Sequence, residues 1–173
     1  LIGETVITIN EKKRETEEQM MMIELQNSMD GLRKGVTVIS PARRFITKGN
    51  ITHITKKGES IAAEYYLFSD ILFVCTEKDE ETERRKYLDN ISIKNACVDN
   101  EEDLQFSVGN LGKQHKITFE TKNEKQKSKV IENIQKQILK DTFNDWVSAQ
   151  MASGRGVSMT FQEWFTLYGK TLI

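Results

Sequence analysis

The stretch Tyr65 to Cys75, Tyr-Tyr-Leu-Phe-Ser-Asp-Ile-Leu-Phe-Val-Cys, limits the folds open to this chain more than any other. It reads as two apolar, aromatic-rich strands hinged at Ser69-Asp70, residue types that favour tight turns by bonding their own backbone. Upstream, Pro41 breaks the chain and Arg43-Arg44-Phe45-Ile46-Thr47-Lys48-Gly49 starts a basic strand. That strand is expected from Phe45 to Ile54, with Lys56-Lys57-Gly58-Glu59 turning into a second from Ser60 to Phe68 and a third from Ile71 to Thr76. After a charged loop from Glu77 to Arg85, weaker strands are expected over Ser92 to Val98, Leu104 to Val108 and His115 to Glu120. Asp99-Asn100, Asn110 and Gly112 supply the turn signals. Short strands at this spacing, with no helix between them, indicate an antiparallel sandwich or barrel.

Helical patterns flank this block. Residues 4 to about 29 predict a helix in which Val6, Ile9, Met20, Ile23 and Leu25 bracket a polar middle, Glu11 to Gln19. Such a helix rarely folds alone, because its apolar ends need something to pack against. Gly31 and Gly35 end it. Beyond the strands, Val130, Ile131, Ile134, Ile138 and Leu139 fall at helical spacing with lysines on the other face, predicting a helix of about four turns that caps the sheets. Burying these side chains at roughly 1.5–3 kcal/mol each makes it a main source of stability. Phe143, Trp146 and Val147 continue the stripe, so the helix is expected to overshoot the sheets before Gly154-Arg155-Gly156 ends it. Thr160-Phe161-Gln162-Glu163 has capping-box spacing and opens a last short helix carrying Phe161, Trp164, Phe165 and Tyr168 on one face.

At 173 residues the chain suits one domain with appendages, and its formal net charge of −1 gives no bulk attraction to nucleic acid or membrane. No apolar run approaches bilayer length. The first residue is Leu1 rather than Met, which reads as a segment of a larger protein. Cys75 and Cys97 sit in strand context without metal-ligand spacing and read as thiols of a reducing compartment. An enzymatic reading finds no support: His53 and His115 have no adjacent acid or nucleophile in sequence, and Gly109-x-x-Gly112 lacks the lysine of a phosphate loop. The acidic cluster Asp99 to Asp103 lacks calcium-loop spacing, and no cofactor or metal site is expected. The basic residues are not interleaved with aromatics as a nucleic-acid platform requires.

The ordered set of features resembles the pleckstrin homology (PH) domain that follows the exchange domain of Dbl-family Rho/Rac guanine nucleotide exchange factors. Pro41-x-Arg43, a glycine-containing first strand, the Leu67-Phe68-Ser69-Asp70-Ile71-Leu72 hairpin and a terminal amphipathic helix carry the likeness over about residues 40 to 140. Thr8-Ile9-Asn10-Glu11-Lys12-Lys13-Arg14 looks like the last helix of the Dbl-homology domain, in which an Ile-Asn-Glu triplet recurs. The resemblance implies a mainly β fold, a seven-stranded antiparallel barrel capped by a C-terminal helix and preceded by a long helix. It divides the chain into a Dbl-homology helix (1–33), a PH domain (34–150) and a helical extension (151–173). It also implies a non-catalytic segment of an exchange factor, cytoplasmic or peripheral at a membrane, with a Rho/Rac GTPase as partner through Asn10. Two features depart from the family pattern: Val130 stands where a tryptophan is usual, and apolar Ile61 and Ala63 stand where phosphoinositide-binding members carry basic residues.

Between Gly31 and Gly58 lie seven basic residues (Arg33, Lys34, Arg43, Arg44, Lys48, Lys56, Lys57) and no acidic ones. Of these, Arg43, Arg44, Lys48, Lys56 and Lys57 are the candidate contacts to anionic phospholipid. The opposing reading is a solvated surface on which Arg43 and Arg44 pair with acids of the preceding helix. At ~1 kcal/mol per basic residue, three or four give about 4 kcal/mol, enough to orient a protein at a membrane but not to recruit it. Trp164, Phe165 and Tyr168 are candidates for partner docking, against packing within the domain. The alternative function is a free-standing PH-superfold module that binds protein or peptide, marked by an open sheet edge beside the C-terminal helix.

Overall fold

The computed structural model describes residues 2–169. Helix α1 (Ile2–Ser28) runs directly into a two-residue strand, β1 (Met29–Asp30). Gly31 and Gly35, with φ of 80° and 83°, then reverse the chain in a region that other residues enter at a cost. Seven strands follow: β2 (Phe45–Ile54), β3 (Ser60–Phe68), β4 (Ile71–Thr76), β5 (Arg85–Ser92), β6 (Ala96–Asn100), β7 (Gln105–Asn110) and β8 (Lys116–Glu120). Helices α2 (Glu124–Ala152) and α3 (Phe161–Tyr168) close the chain.

The strands form one curled sheet in the order β1-β5-β4-β3-β2-β8-β7-β6. β2 through β8 pair antiparallel, and β2 belongs to both halves: it pairs with β3 along its length and with β8 only from Thr52 to Ile54. This is the PH-like architecture with a preceding helix, plus the short parallel pairing of β1 with Arg85 and Lys86.

The continuous apolar character of residues 65–75 has a simple cause. Successive side chains of a strand point to opposite faces, and here both faces are covered. Tyr65, Leu67, Leu72 and Val74 point into the barrel, with Phe106, Phe119 and the α2 residues Val130 and Ile134. Tyr66, Phe68, Phe73 and Cys75 point the other way, into a second core built with Met22 and Leu25 of α1, Met29 and Val38. Cys75 is fully buried, and burial is the main cause that pushes its thiol up to about 12.

Three expectations are corrected. β5 occupies Arg85–Ser92, where the sequence reads as a loop followed by a later strand. Its run Arg-Lys-Tyr-Leu-Asp-Asn-Ile-Ser is mostly polar because only Ile91 is fully inside. The expected strand from Ser92 to Val98 is instead cut by a turn, with Asn95 at φ 59°. On α1, Met22 and Leu25 make the contact with the barrel, while Met20 and Ile23 are exposed. α2 overshoots the sheets to Ala152 as expected, spanning 29 residues, about eight turns, since its stripe continues through Phe143 and Trp146 to a second partner, α3.

Val130, in the place of the family's usual tryptophan, is buried beside the stacked pair Phe106 and Phe119, whose ring centroids are 5.2 Å apart. α2 begins with the Asn123 side chain accepting from Gln126 N at 2.9 Å. One turn on, the buried Lys127 ammonium donates to Glu101 O and Asp103 O at 2.8 and 2.6 Å, pinning the β6–β7 loop to the helix.

Candidate functional site

The junction between α1 and the barrel holds most of the polar side-chain bonds that join distant parts of the chain. Gln26, on α1, accepts from Val38 N at 2.9 Å and from the Thr37 hydroxyl at 2.6 Å, so a single amide orders the linker. Arg43 then locks that linker to the β3–β4 turn. It donates to Thr37 O and Val38 O at 2.7 and 2.6 Å, and reaches both carboxylate oxygens of Asp70 at 2.8 and 3.0 Å. Its guanidinium also lies within 6 Å of the Phe68 and Phe73 ring centroids, at 5.8 and 5.6 Å.

The neighbouring Arg44 turns toward the helix. It donates to Glu18 at 2.8 Å and approaches Glu15 at 3.5 Å, while Phe45 N also donates to Glu18. At the far end of α1, Arg84 pairs with Asp30 and donates to Asn27 O. Deeper in, Arg85 pairs with Glu64, which also accepts from the Tyr66 hydroxyl. The Arg44–Glu18, Gln26 and Arg84–Asn27 contacts fix the helix on the barrel and linker at separate points, while Arg85, Glu64 and Tyr66 tie β5 to β3 beneath it.

Glu18 makes one of these points titratable. Burial works to raise its pKa, but the bond from Arg44, the Phe45 amide and the nearby arginine charges outweigh it, and the net shift is downward. The folded-state value lies below the ordinary 4.5, so the contribution to stability is complete above that pH and is lost as pH falls through the lowered value. The excess thermal stability of the parent chain over a Glu18→Gln variant is therefore expected to be full at neutral pH and to shrink on acidification. Melts of both proteins along a pH series check this; a constant difference down to the most acid point contradicts it.

The structure scatters the sequence-predicted site residues. Asn10 is exposed on the part of α1 that extends past the barrel, where every residue from Val6 to Glu17 is exposed. Lys48 sits at the junction, its ammonium 5.8 Å from the Tyr66 ring centroid. Lys56 and Lys57 occupy the β2–β3 turn at the other end of the strand, about 20 Å away at ~3.3 Å per residue. The candidate lipid contacts therefore do not form one cluster. Arg44 pairs with acids of α1 as the solvated reading expects; Arg43, 8% exposed, pairs with Asp70 instead.

Trp164 is buried against Phe143 and Phe161, with centroids at 5.5 and 6.3 Å, and Phe165 stands 6.1 Å from Phe161. The aromatic set thus packs largely within the chain, α3 lying on the overshoot of α2. Tyr168 and Leu167 remain 47% and 61% exposed.

Sequence reasoning missed Glu18, Gln26 and Asp70. Asp70 was legible only as a turn former, and Gln26 carries no local signal because its partners lie at least 11 residues away in the linker. Among the described residues no cluster of His, Cys, Asp and Glu is arranged to hold a metal ion. No helix among them is long and apolar enough to cross a membrane.

No protein-family model matches this sequence, and no curated protein sequence does. Solved structures do match. The linker-DH/PH domains of p115-RhoGEF superpose with a TM-score of 0.64 at 14% identity, over 78% of this chain and 44% of that one. A DH/PH fragment of PDZ-RhoGEF in complex with human RhoA gives 0.58 at 15% identity, over 78% and 42%. An activated truncation of Vav1 gives 0.58 at 15%, over 73% and 33%. At these identities the likeness is one of fold, a PH-type barrel preceded by a long helix, and the chain spans less than half the length of each of the three.

Proposed function

We propose that this chain is the PH module, with the final Dbl-homology helix, of a Rho/Rac guanine nucleotide exchange factor. The observation that carries the proposal is the outer face of α1. Val6, Ile9, Met20 and Ile23 fall within about 100° of one another on a helix of 3.6 residues per turn. They are 50%, 60%, 65% and 44% exposed, on the side away from the barrel contacts Met22 and Leu25. A helix whose first half touches so little of its own domain is marginal by itself, and its exposed apolar pairs, Val6 with Ile9 and Met20 with Ile23, set apart on that face by Lys13 and Thr16, need a cover. The remaining helices of an exchange domain are such a cover. In this reading residues 1–33 belong to the exchange domain, 34–150 to the PH domain and 151–173 to an extension.

In this reading the catalytic work, opening the nucleotide site of a small GTPase, belongs to helices that precede this segment. The segment itself positions them. α1 is continuous from Asn10 into the clamped junction, so a contact made by Asn10 is held by the Arg44–Glu18 and Gln26 bonds behind it. Lys56 and Lys57, exposed at the barrel end, supply weak attraction to an anionic membrane. Exposed Tyr168 and Leu167 on α3 offer a secondary contact for a partner. A free-standing peptide-binding module has the outer edge of β6 in its favour, since that strand ends the sheet order, but leaves the α1 stripe uncovered.

The test is nucleotide exchange on a Rho-family GTPase by the segment extended with its native upstream sequence. The extended protein is expected to accelerate exchange, and Asn10→Ala to slow it about tenfold or more, the effect of removing a contact at the centre of an interface. Exchange equally fast with alanine at position 10 removes Asn10 from the mechanism. No exchange by the extended protein on any Rho-family GTPase removes the whole reading.

A further inference from the structure

The chain between α2 and α3 turns once and then runs free. Gly154, with φ of 77°, closes the end of α2, where Ser153 N, Gly154 N and Arg155 N donate to Ala149 O, Met151 O and Gln150 O. From Gly156 to Met159 no backbone group bonds to another backbone group among the described residues. Residues 155–160 contain neither helix, strand nor turn, and Arg155, Ser158 and Thr160 are exposed along them. Thr160 is extended, with φ −77° and ψ 162°, and its hydroxyl is committed to capping α3, accepting from Glu163 N at 3.3 Å.

Arg155-Gly156-Val157-Ser158 places an arginine three residues before a serine. One class of serine kinases reads a cation at that position with acidic side chains beside its active site, and takes its substrate as extended chain. The spacing alone does not select Ser158, because Arg44-Phe45-Ile46-Thr47 has it too. The structure separates the two. Thr47 lies inside β2, paired with Leu67 of β3, and Arg44 is held by Glu18 at 2.8 Å. Thr47 must leave the sheet to enter a kinase groove, whereas the Ser158 segment has no ladder bond to break.

We propose that Ser158 is a phosphorylation site for an arginine-directed serine kinase, and that the phosphate fastens α3 to α2. The co-reactant is magnesium-bound ATP. Ser158 Oγ attacks the γ-phosphorus, and the Oγ–P bond forms as the bond from that phosphorus to the β–γ bridging oxygen breaks. ADP leaves, and the hydroxyl proton passes to the catalytic aspartate of the kinase. The product carries a charge of about −2, two residues before the α3 cap and beside the positive end of the helix dipole. Lys140, whose ammonium lies 6.0 Å from the Phe161 ring centroid, supplies a cation at the first residue of α3. Glu163 in the first turn opposes the added charge, but it is exposed and screened by solvent. α3 rests on α2 through Phe161 and Trp164 against Phe143, so holding its first turn holds that aromatic set. Nothing in the site depends on the exchange-factor reading.

The experiment incubates the 173-residue chain with magnesium, radiolabelled ATP and the catalytic domain of a calcium/calmodulin-dependent protein kinase, which selects arginine at this spacing. Incorporation is expected at Ser158, mapped by fragmentation mass spectrometry, and is expected to be abolished by Ser158→Ala. Arg155→Gln is expected to lower kcat/KM for the chain about tenfold or more, and Thr47→Val to leave it unchanged. The modified and unmodified chains are then melted while following Trp146 and Trp164, which both sit at the α2–α3 contact. That signal is expected to move up by about 2 °C or more on phosphorylation, and by less in Lys140→Gln. No incorporation, incorporation that survives Ser158→Ala, or label found on Thr47 overturns the site. A tryptophan melt left unmoved or lowered by the phosphate overturns the fastening of α3.

Discussion

Replacing Arg43 with alanine is expected to destabilise the folded chain by about 3 kcal/mol, the order seen when one partner of a buried charged network is removed. The effect comes from what is left behind. Thr37 O and Val38 O lose the donors that reach them at 2.7 and 2.6 Å, and a buried acceptor without a partner costs about 1–3 kcal/mol. The ion pair itself contributes less, because the Asp70 side chain is 52% exposed and well screened. Loss of the guanidinium also uncovers the Phe68 and Phe73 rings that it bridges. At about 2–4 °C per kcal/mol for a chain of this size, the melting temperature is expected to fall by roughly 6–12 °C. Arg43→Lys is expected to recover only part of this, since a single ammonium cannot serve two carbonyls and a carboxylate in the same fork geometry. Arg43→Ala melting within a degree or two of the parent contradicts the structural role. Vesicle binding lost by Arg43→Ala at full thermal stability points instead to a direct lipid contact.

Arg43 also shows where sequence reading reaches its limit. The basic stretch between Gly31 and Gly58 is visible in sequence, and the strands β2, β3 and β4 were legible to the residue because turn formers bound their apolar runs. What distinguishes Arg43 from Lys56 is burial, and burial depends on the linker folding back under the β3–β4 turn. No local pattern encodes that return. The same holds for α1, where Met20, Ile23, Met22 and Leu25 have similar hydropathy and only the docking angle decides which pair is inside. β5 was missed for another reason. It lies near one end of the sheet, between β4 and the two-residue β1, where just one residue is fully interior, so neither alternation nor a continuous apolar run marks it.

Ile134→Asp is expected to have a still larger effect, because α2 closes the inner core with few large residues. Ile134 is 1% exposed and shares that core with Leu67, Leu72, Phe106 and Phe119. Removing its side chain alone costs about 2–5 kcal/mol by the transfer and cavity effects of large-to-small changes in cores. A carboxyl in that position has no partner among the surrounding apolar groups. Even protonated, it adds about 1–3 kcal/mol as an unsatisfied polar group. The sum, about 3–8 kcal/mol, reaches into the total stability of a typical domain, ~5–15 kcal/mol, so the chain is expected to be substantially unfolded or held open at 37 °C. Trp146 and Trp164 both belong to the α2–α3 end, so tryptophan emission follows the helices while circular dichroism in the β region follows the strands. The two signals are expected to be lost together, at a much lower temperature than in the parent, because the barrel has no other cover for its inner face. Strands that keep the parent's melting temperature while the tryptophan signal collapses show a barrel stable without its helix. That result removes α2 from the core.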